Sequence, residues 1–298
     1  MEYGNLYPHV SAALKEVKTM TTQGANLLVD FEDGETNWWD TERVKRTMIA
    51  FQGDTWKRPR DTPEWQRPRD QAIKKQPNFQ KYMENVMAFE RGLNGKGRPY
   101  DILCGDGHLK RYWYNYRYRD WQREKPSHGA GDFAYFDTFL NKWWPKNEEA
   151  CASKKFAGSA VADRYVQLCA ERIAETNWRI TIGDDRKVDW TSQRLHGLDR
   201  NKLVLRWWAQ WLVYTLKHEL IHVLMEFDDV EVCGETAENW VGATSLADTD
   251  PHLCPVNVDS LGLPLLTLYL EGDEWSSGGA KNRETVRREL EREQRKRP

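Results

Sequence analysis

Leu203-Val204-Leu205-Arg206-Trp207-Trp208-Ala209-Gln210-Trp211-Leu212-Val213-Tyr214-Thr215-Leu216-Lys217-His218-Glu219-Leu220-Ile221-His222-Val223-Leu224 reads as one apolar helix with a His-Glu-x-x-His string at its end. Side chains at i and i+4 of a helix lie one above the other, so His218 and His222 point the same way and are spaced to grip one Zn²⁺. Glu219, beside the first histidine, is placed to act as general base toward a water at such a metal. Leu, Val and Trp occupy most of the remaining positions, as in a helix buried on most sides, which makes a rigid platform. A chance His-Glu-x-x-His string among seven histidines rarely falls on such a segment, so the zinc reading outweighs coincidence.

A catalytic zinc takes a third protein ligand from outside the helix and leaves a fourth position for water. Downstream acids are Glu226, Asp228, Asp229, Glu231, Glu235 and Glu238. No His-x-x-Gly-x-x-His continuation follows, which excludes the metzincin pattern. Glu238 requires a second helix packed antiparallel to the first. Glu231 requires only a loop that reverses after the helix ends near Glu226, and Gly234 beyond it suits a tight turn.

The chain has 298 residues, enough for one large domain or a catalytic domain with an appendage. Hydrophobic residues are 39% and charged residues 30%, so the core is small for the length, and fifteen tryptophans and twelve tyrosines partly make up its volume. A net charge of −2 gives no electrostatic case for nucleic acid, and no run is long enough for a membrane span. No signal peptide is visible at the N-terminus and no Asn-x-Ser/Thr sequon occurs, which points toward the cytosol. Five cysteines form no C-x-x-C pair, excluding a zinc finger or dithiol site. Cys233 and Cys254 are either a staple or ordinary thiols.

Along the chain, apolar spacing predicts a helix over 10–30 that fades near Gly24, a turn at 31–34 and renewed order at Trp38. Residues 53–77 carry the echo W-x-R-P-R-D and read as an extended, solvated arm. A helix is expected over 79–91, a short strand at 102–104 and an aromatic strand over 112–118. Residues 127–147 show little periodicity. A helix over 160–176 and a strand over 178–182 precede the His-Glu-x-x-His helix, and such a strand can dock extended substrate. Asp259 is placed as N-cap of a last apolar helix that Pro264 interrupts. Residues 283–297 form a charge-dense, solvated helix.

The segments Glu231-Val232-Cys233-Gly234, Ala237-Glu238-Asn239-Trp240, Ser245-Leu246-Ala247, Asn257-Val258-Asp259-Ser260-Leu261 and Leu266-Thr267-Leu268-Tyr269-Leu270 complete a resemblance. With the His-Glu-x-x-His helix, they make residues 203–271 similar to the C-terminal part of the fungal deuterolysin-like and lysine-specific metallo-endopeptidases, the aspzincins. The resemblance implies a zinc metalloendopeptidase acting on protein or peptide substrates, with His218, His222 and Glu231 as zinc ligands and Glu219 as general base. It also implies an extracellular protein. Asp229, Glu235 and Glu238 remain rivals to Glu231, which stands where the family has Asp. Cys233 replaces the family tyrosine that helps hold the transition-state oxyanion, and a thiol is a weak donor. The alternative is therefore a weak or inactive metal-binding protein with a partner-binding role.

The expected fold is α+β, mainly helical and zincin-like, with a small sheet. An irregular extension is expected over 1–79, the catalytic domain over 80–272 and a charged tail over 273–298.

Overall fold

Helices supply the core, as the apolar periodicity dictates. The computed structural model describes residues 7–53, 76–97, 99–105, 107, 109–115, 119–125, 130–144, 151, 158–161, 164–169, 181–187, 212–232 and 235–295. The fold is mixed α+β, dominated by helix with small sheets. No helix among the described residues is long and apolar enough to cross a membrane.

Helices α1 (Tyr7–Asp33), α2 (Trp38–Gln52) and α3 (Pro77–Leu93) come first. The extension expected over 1–79 is, in its described part, not irregular: Val17, Met20, Leu28, Val44, Phe51 and Phe79 join the main hydrophobic core. Helix α1 also runs straight through Gly24 instead of fading there. A Cβ at Gly24 would stand 2.6 Å from Leu265 Cδ2, so this glycine serves close helix packing rather than a stop. Gly34, with φ 83°, makes the expected turn. Asn37 then caps α2, its Oδ1 accepting from the N–H groups of Trp39 (2.9 Å) and Asp40 (3.1 Å). The W-x-R-P-R-D arm lies outside the described residues.

Two sheets follow. Strands β1 (Asp101–Cys104), β6 (Gly158–Val161) and β7 (Tyr165–Leu168) form one in the order β1-β7-β6, with β1 parallel to β7 and β6 antiparallel at the edge. Strands β2 (Leu109–Asn115), β3 (Asp120–Gln122), β4 (Ala130–Asp137) and β5 (Lys142–Trp144) form an antiparallel sheet in the order β3-β2-β4-β5. The aromatic strand expected over 112–118 is therefore β2, and the stretch without periodicity contains β4 and β5. Asp137 joins the two sheets: fully buried, it accepts from Tyr165 Oη at 2.9 Å and from the N–H groups of Phe139 and Leu140.

The helix expected over 160–176 is absent at its described start, where the β6–β7 hairpin stands instead. All four residues of β7 are buried, and a strand covered on both faces has no alternation to distinguish it from helix. A disulfide joins Cys151 to Cys169 at the end of β7. Cys254 is a free buried thiol, so the Cys233–Cys254 staple does not form. The strand expected over 178–182 lies largely outside the described residues.

Helix α4 (Leu212–Met225) carries the His-Glu-x-x-His string. After it come a small hairpin of β8 (Glu231–Val232) and β9 (Glu235–Thr236), α5 (Asn239–Thr249), α6 (Val258–Tyr269) and α7 (Arg283–Arg295). The charged α7 is tied to α2 by Arg46 Nη1 on Glu289 Oε2 at 2.6 Å, and it buries Val286.

Every residue of α6 is buried, and α1, α2, α3, α4 and α5 pack around it. Pro264 lacks the N–H that would bond the Ser260 carbonyl. Gln52 Nε2 of α2 takes that place at 2.7 Å. Tyr82 Oη of α3 donates to Leu261 O at 3.3 Å, and Lys217 Nζ of α4 donates to Gly262 O. Arg43 Nη2 closes the other end on the carbonyls of Thr267, Leu268 and Leu270. Leaving a buried carbonyl without a donor costs ~1–3 kcal/mol. Gln52→Ala should lower stability by about that amount in urea unfolding, whereas the same change at exposed Gln80 should cost less than ~0.5 kcal/mol.

Candidate metal centre

His218 and His222 stand one turn apart on α4 with their Nε2 atoms 3.3 Å apart. The helix stops at Met225. Glu226 then adopts φ 56°, its N–H bonded to His222 O at 3.0 Å, and the chain reverses at once. Two contacts follow from that reversal. His222 Nδ1 donates to Phe227 O at 2.6 Å, and Asp229 Oδ2 comes to 3.4 Å from His222 Nε2 and 3.8 Å from His218 Nε2. Asn257, at the N-cap position of α6, fixes the returning strand: its Oδ1 accepts from Val230 N at 3.0 Å and its Nδ2 donates to Ala237 O at 3.2 Å.

His218, His222 and Asp229 are the group among the described residues that could hold a metal. Four ligands about 2.0–2.2 Å from a tetrahedral ion lie about 3.3–3.6 Å from one another, close to the separations found here. Hydrogen bonding supports the same reading. His218 Nδ1 faces the Asp259 carboxylate at 2.9 Å and His222 Nδ1 faces a backbone carbonyl, so each neutral ring carries its hydrogen on Nδ1. Both Nε2 lone pairs then converge with a carboxylate oxygen, and three acceptors repel unless a proton or a metal cation lies between them. Asp229 Oδ1 is buried without a hydrogen-bond partner among the described residues. The three side chains keep 17–19% exposure, so the site opens to solvent on one side.

The expected third ligand, Glu231, is exposed on β8 and stands outside this group, and Asp229 takes the place proposed for it. Glu235 lies on β9, while Glu238 is exposed at the N-cap position of α5. Cys233 lies outside the described residues. Asp259 is also not the N-cap foreseen for it. Asn257 holds that position, and Asp259 sits inside the first turn of α6, nearly fully buried behind His218.

Glu219 is buried beside the histidines, on a helix packed against β6 and near the Ala160 N–H. Burial raises its carboxyl above the usual range, against the pull of both imidazoles and of that N–H. For His218, burial works against the charged ring, but Asp259 outweighs it and pushes the imidazole up to about 10. His222 is raised as well, burial again being outweighed by its bond to Asp229. The chain matches no family model, no curated protein and no solved structure.

Two outcomes follow. Asp229→Ala should release a bound metal under mild chelation and Glu231→Ala should retain it, as read by metal content after dialysis. Without metal, the raised His218 stabilises the fold fully below its unfolded value of ~6.5 and loses that contribution as pH climbs toward about 10. Buried Lys217, whose ammonium is lowered to about 7, contributes in the opposite sense above that pH. The His218 share should therefore show as a melting temperature that falls with pH in metal-free wild type relative to His218→Gln. A cation must displace the His218 proton, so metal affinity should rise over the same interval, as titrations at stepped pH will show.

Proposed function

We propose that this protein is a zinc-dependent endopeptidase of the zincin type, with an aspzincin-like site built from His218, His222, Asp229 and Glu219. The observation that carries the reading is the convergence of two imidazole Nε2 atoms and one carboxylate oxygen beside a buried glutamate. Two histidines and a carboxylate are a usual protein ligand set for catalytic zinc. Bound there, Zn²⁺ supplies Lewis acidity, polarising a peptide carbonyl and lowering the pKa of a water toward ~7.

The chain's own residues supply the rest. Glu219, its carboxylate made more basic by burial, takes the proton of the attacking water and passes it to the leaving amine. Helix α4 packs against β6, which sets that strand alongside the carboxylate. β6 is the edge of its sheet, and an extended peptide can add there as a further strand, its main chain paired and its scissile bond beside Glu219. The Cys151–Cys169 disulfide is in keeping with an oxidising, extracellular setting.

A second reading keeps the metal without turnover, as a scaffold for a partner. It is favoured by Cys233 at the position where the resembled family has its oxyanion-holding tyrosine. Glu219→Gln tests the first reading. Zinc content should be unchanged while cleavage of a peptide library falls ~10²–10⁴-fold. Undiminished cleavage by the variant would end the general-base assignment, and no cleavage by metal-loaded wild type would leave the scaffold.

A further inference from the structure

We propose that Asp259 is a positioning residue that determines how tightly the centre holds its metal, with Tyr214 as its support. The inference rests on the metal-centre reading and adds to it a residue from the core helix α6. Asp259 is nearly fully buried, and its two oxygens receive a fixed set of donors. Oδ1 accepts from His218 Nδ1 at 2.9 Å and from Tyr214 Oη at 2.5 Å, while Oδ2 accepts from the Asn239 N–H. Asn239 has φ 60°, a conformation few non-glycine residues adopt, and in it the N–H reaches Asp259.

These contacts exclude direct ligation. Asp259 meets the ring nitrogen opposite the one that faces His222 and Asp229, so it cannot reach the same ion. A carboxylate on Nδ1–H does three other things. It selects the tautomer with a free Nε2 lone pair, fixes the plane of the ring, and makes Nε2 a stronger donor to a metal. The two histidines are thereby unequal, because His222 has only the neutral Phe227 carbonyl behind it. Asp259 also brings a second negative charge to a site whose direct ligands carry one.

Burying a carboxylate is costly unless its lone pairs are satisfied. Tyr214, on α4 one turn before His218, and the first turn of α6 meet that need, since a helix N-terminus favours negative charge. Asparagine at 259 would keep the shape but not the charge. Its amide would turn an NH₂ either toward the Asn239 N–H or toward the two donors on Oδ1, so at least one hydrogen bond is lost in either orientation.

The test uses the full chain, stripped of metal and titrated with Co²⁺ read by visible absorption, and with Zn²⁺ against a competing chelator. Asp259→Asn should weaken both ions 10–100-fold and shift the Co²⁺ absorption bands. Tyr214→Phe, which removes one donor and leaves the His218 contact, should shift the bands while holding affinity within about threefold. A folded Asp259→Asn protein with wild-type affinity and bands would overturn the proposal, for a purely structural role changes melting temperature and not the ligand field. Should that variant not fold, imidazole nitrogen NMR of Zn²⁺-loaded wild type decides the matter. A His218 protonated on Nδ1, with a downfield proton that moves in Tyr214→Phe, supports the role, and a metal on Nδ1 overturns it. Wild type that takes up neither ion would instead remove the metal-centre reading itself.

Discussion

A helix buried on every side has only its neighbours' side chains to satisfy any carbonyl its own ladder leaves open. That constraint governs α6, in which Pro264 removes a ladder bond. Gln52, Tyr82, Lys217 and Arg43 reach it from three different helices. Each long polar side chain is buried at the cost of its conformational freedom and offsets that cost by satisfying a carbonyl. The same contacts fix the angles at which α2, α3 and α4 meet α6, so the polar network sets geometry while the leucines of α6 supply the apolar drive.

The candidate site hangs from the N-terminal turn of that helix. Asn257 holds the backbone on either side of the β8–β9 hairpin, and Asp259 holds His218. Helix α4 presents the two imidazoles, but where they and Asp229 stand depends on the N-terminal turn of α6. Stability and site geometry therefore share one element, and a substitution that tilts α6 should disturb both together.

Much of this was legible from residue spacing. The pairing of His218 with His222 follows from the helical period, and α1, α3 and β2 follow from apolar patterning and turn residues, while of α2 only the start at Trp38 is legible. Asp229 was harder to choose. The left-handed Glu226 reverses the chain immediately, bringing the acid to the imidazoles sooner than the position implied by the aspzincin resemblance. β7 was misread as helix because it is buried on both faces, and β4 and β5 received no assignment because their aromatic residues pack against one another across strands rather than along a single period. Asp259 carried an N-cap signature that is correct in kind but two residues displaced, and only the three-dimensional packing shows its carboxylate behind an imidazole.

The left-handed Glu226 has one more consequence. Because the chain doubles back within a few residues of His222, all three metal-capable side chains belong to one short, continuous segment, from His218 to Asp229. Closing so short a loop costs little chain entropy. A cation gripped there staples the end of α4 to the turn after it and does not bridge distant parts of the fold. Its grip should then show most in the slowed local opening of residues 218–230, visible as amide exchange, and less in the unfolding of the molecule as a whole.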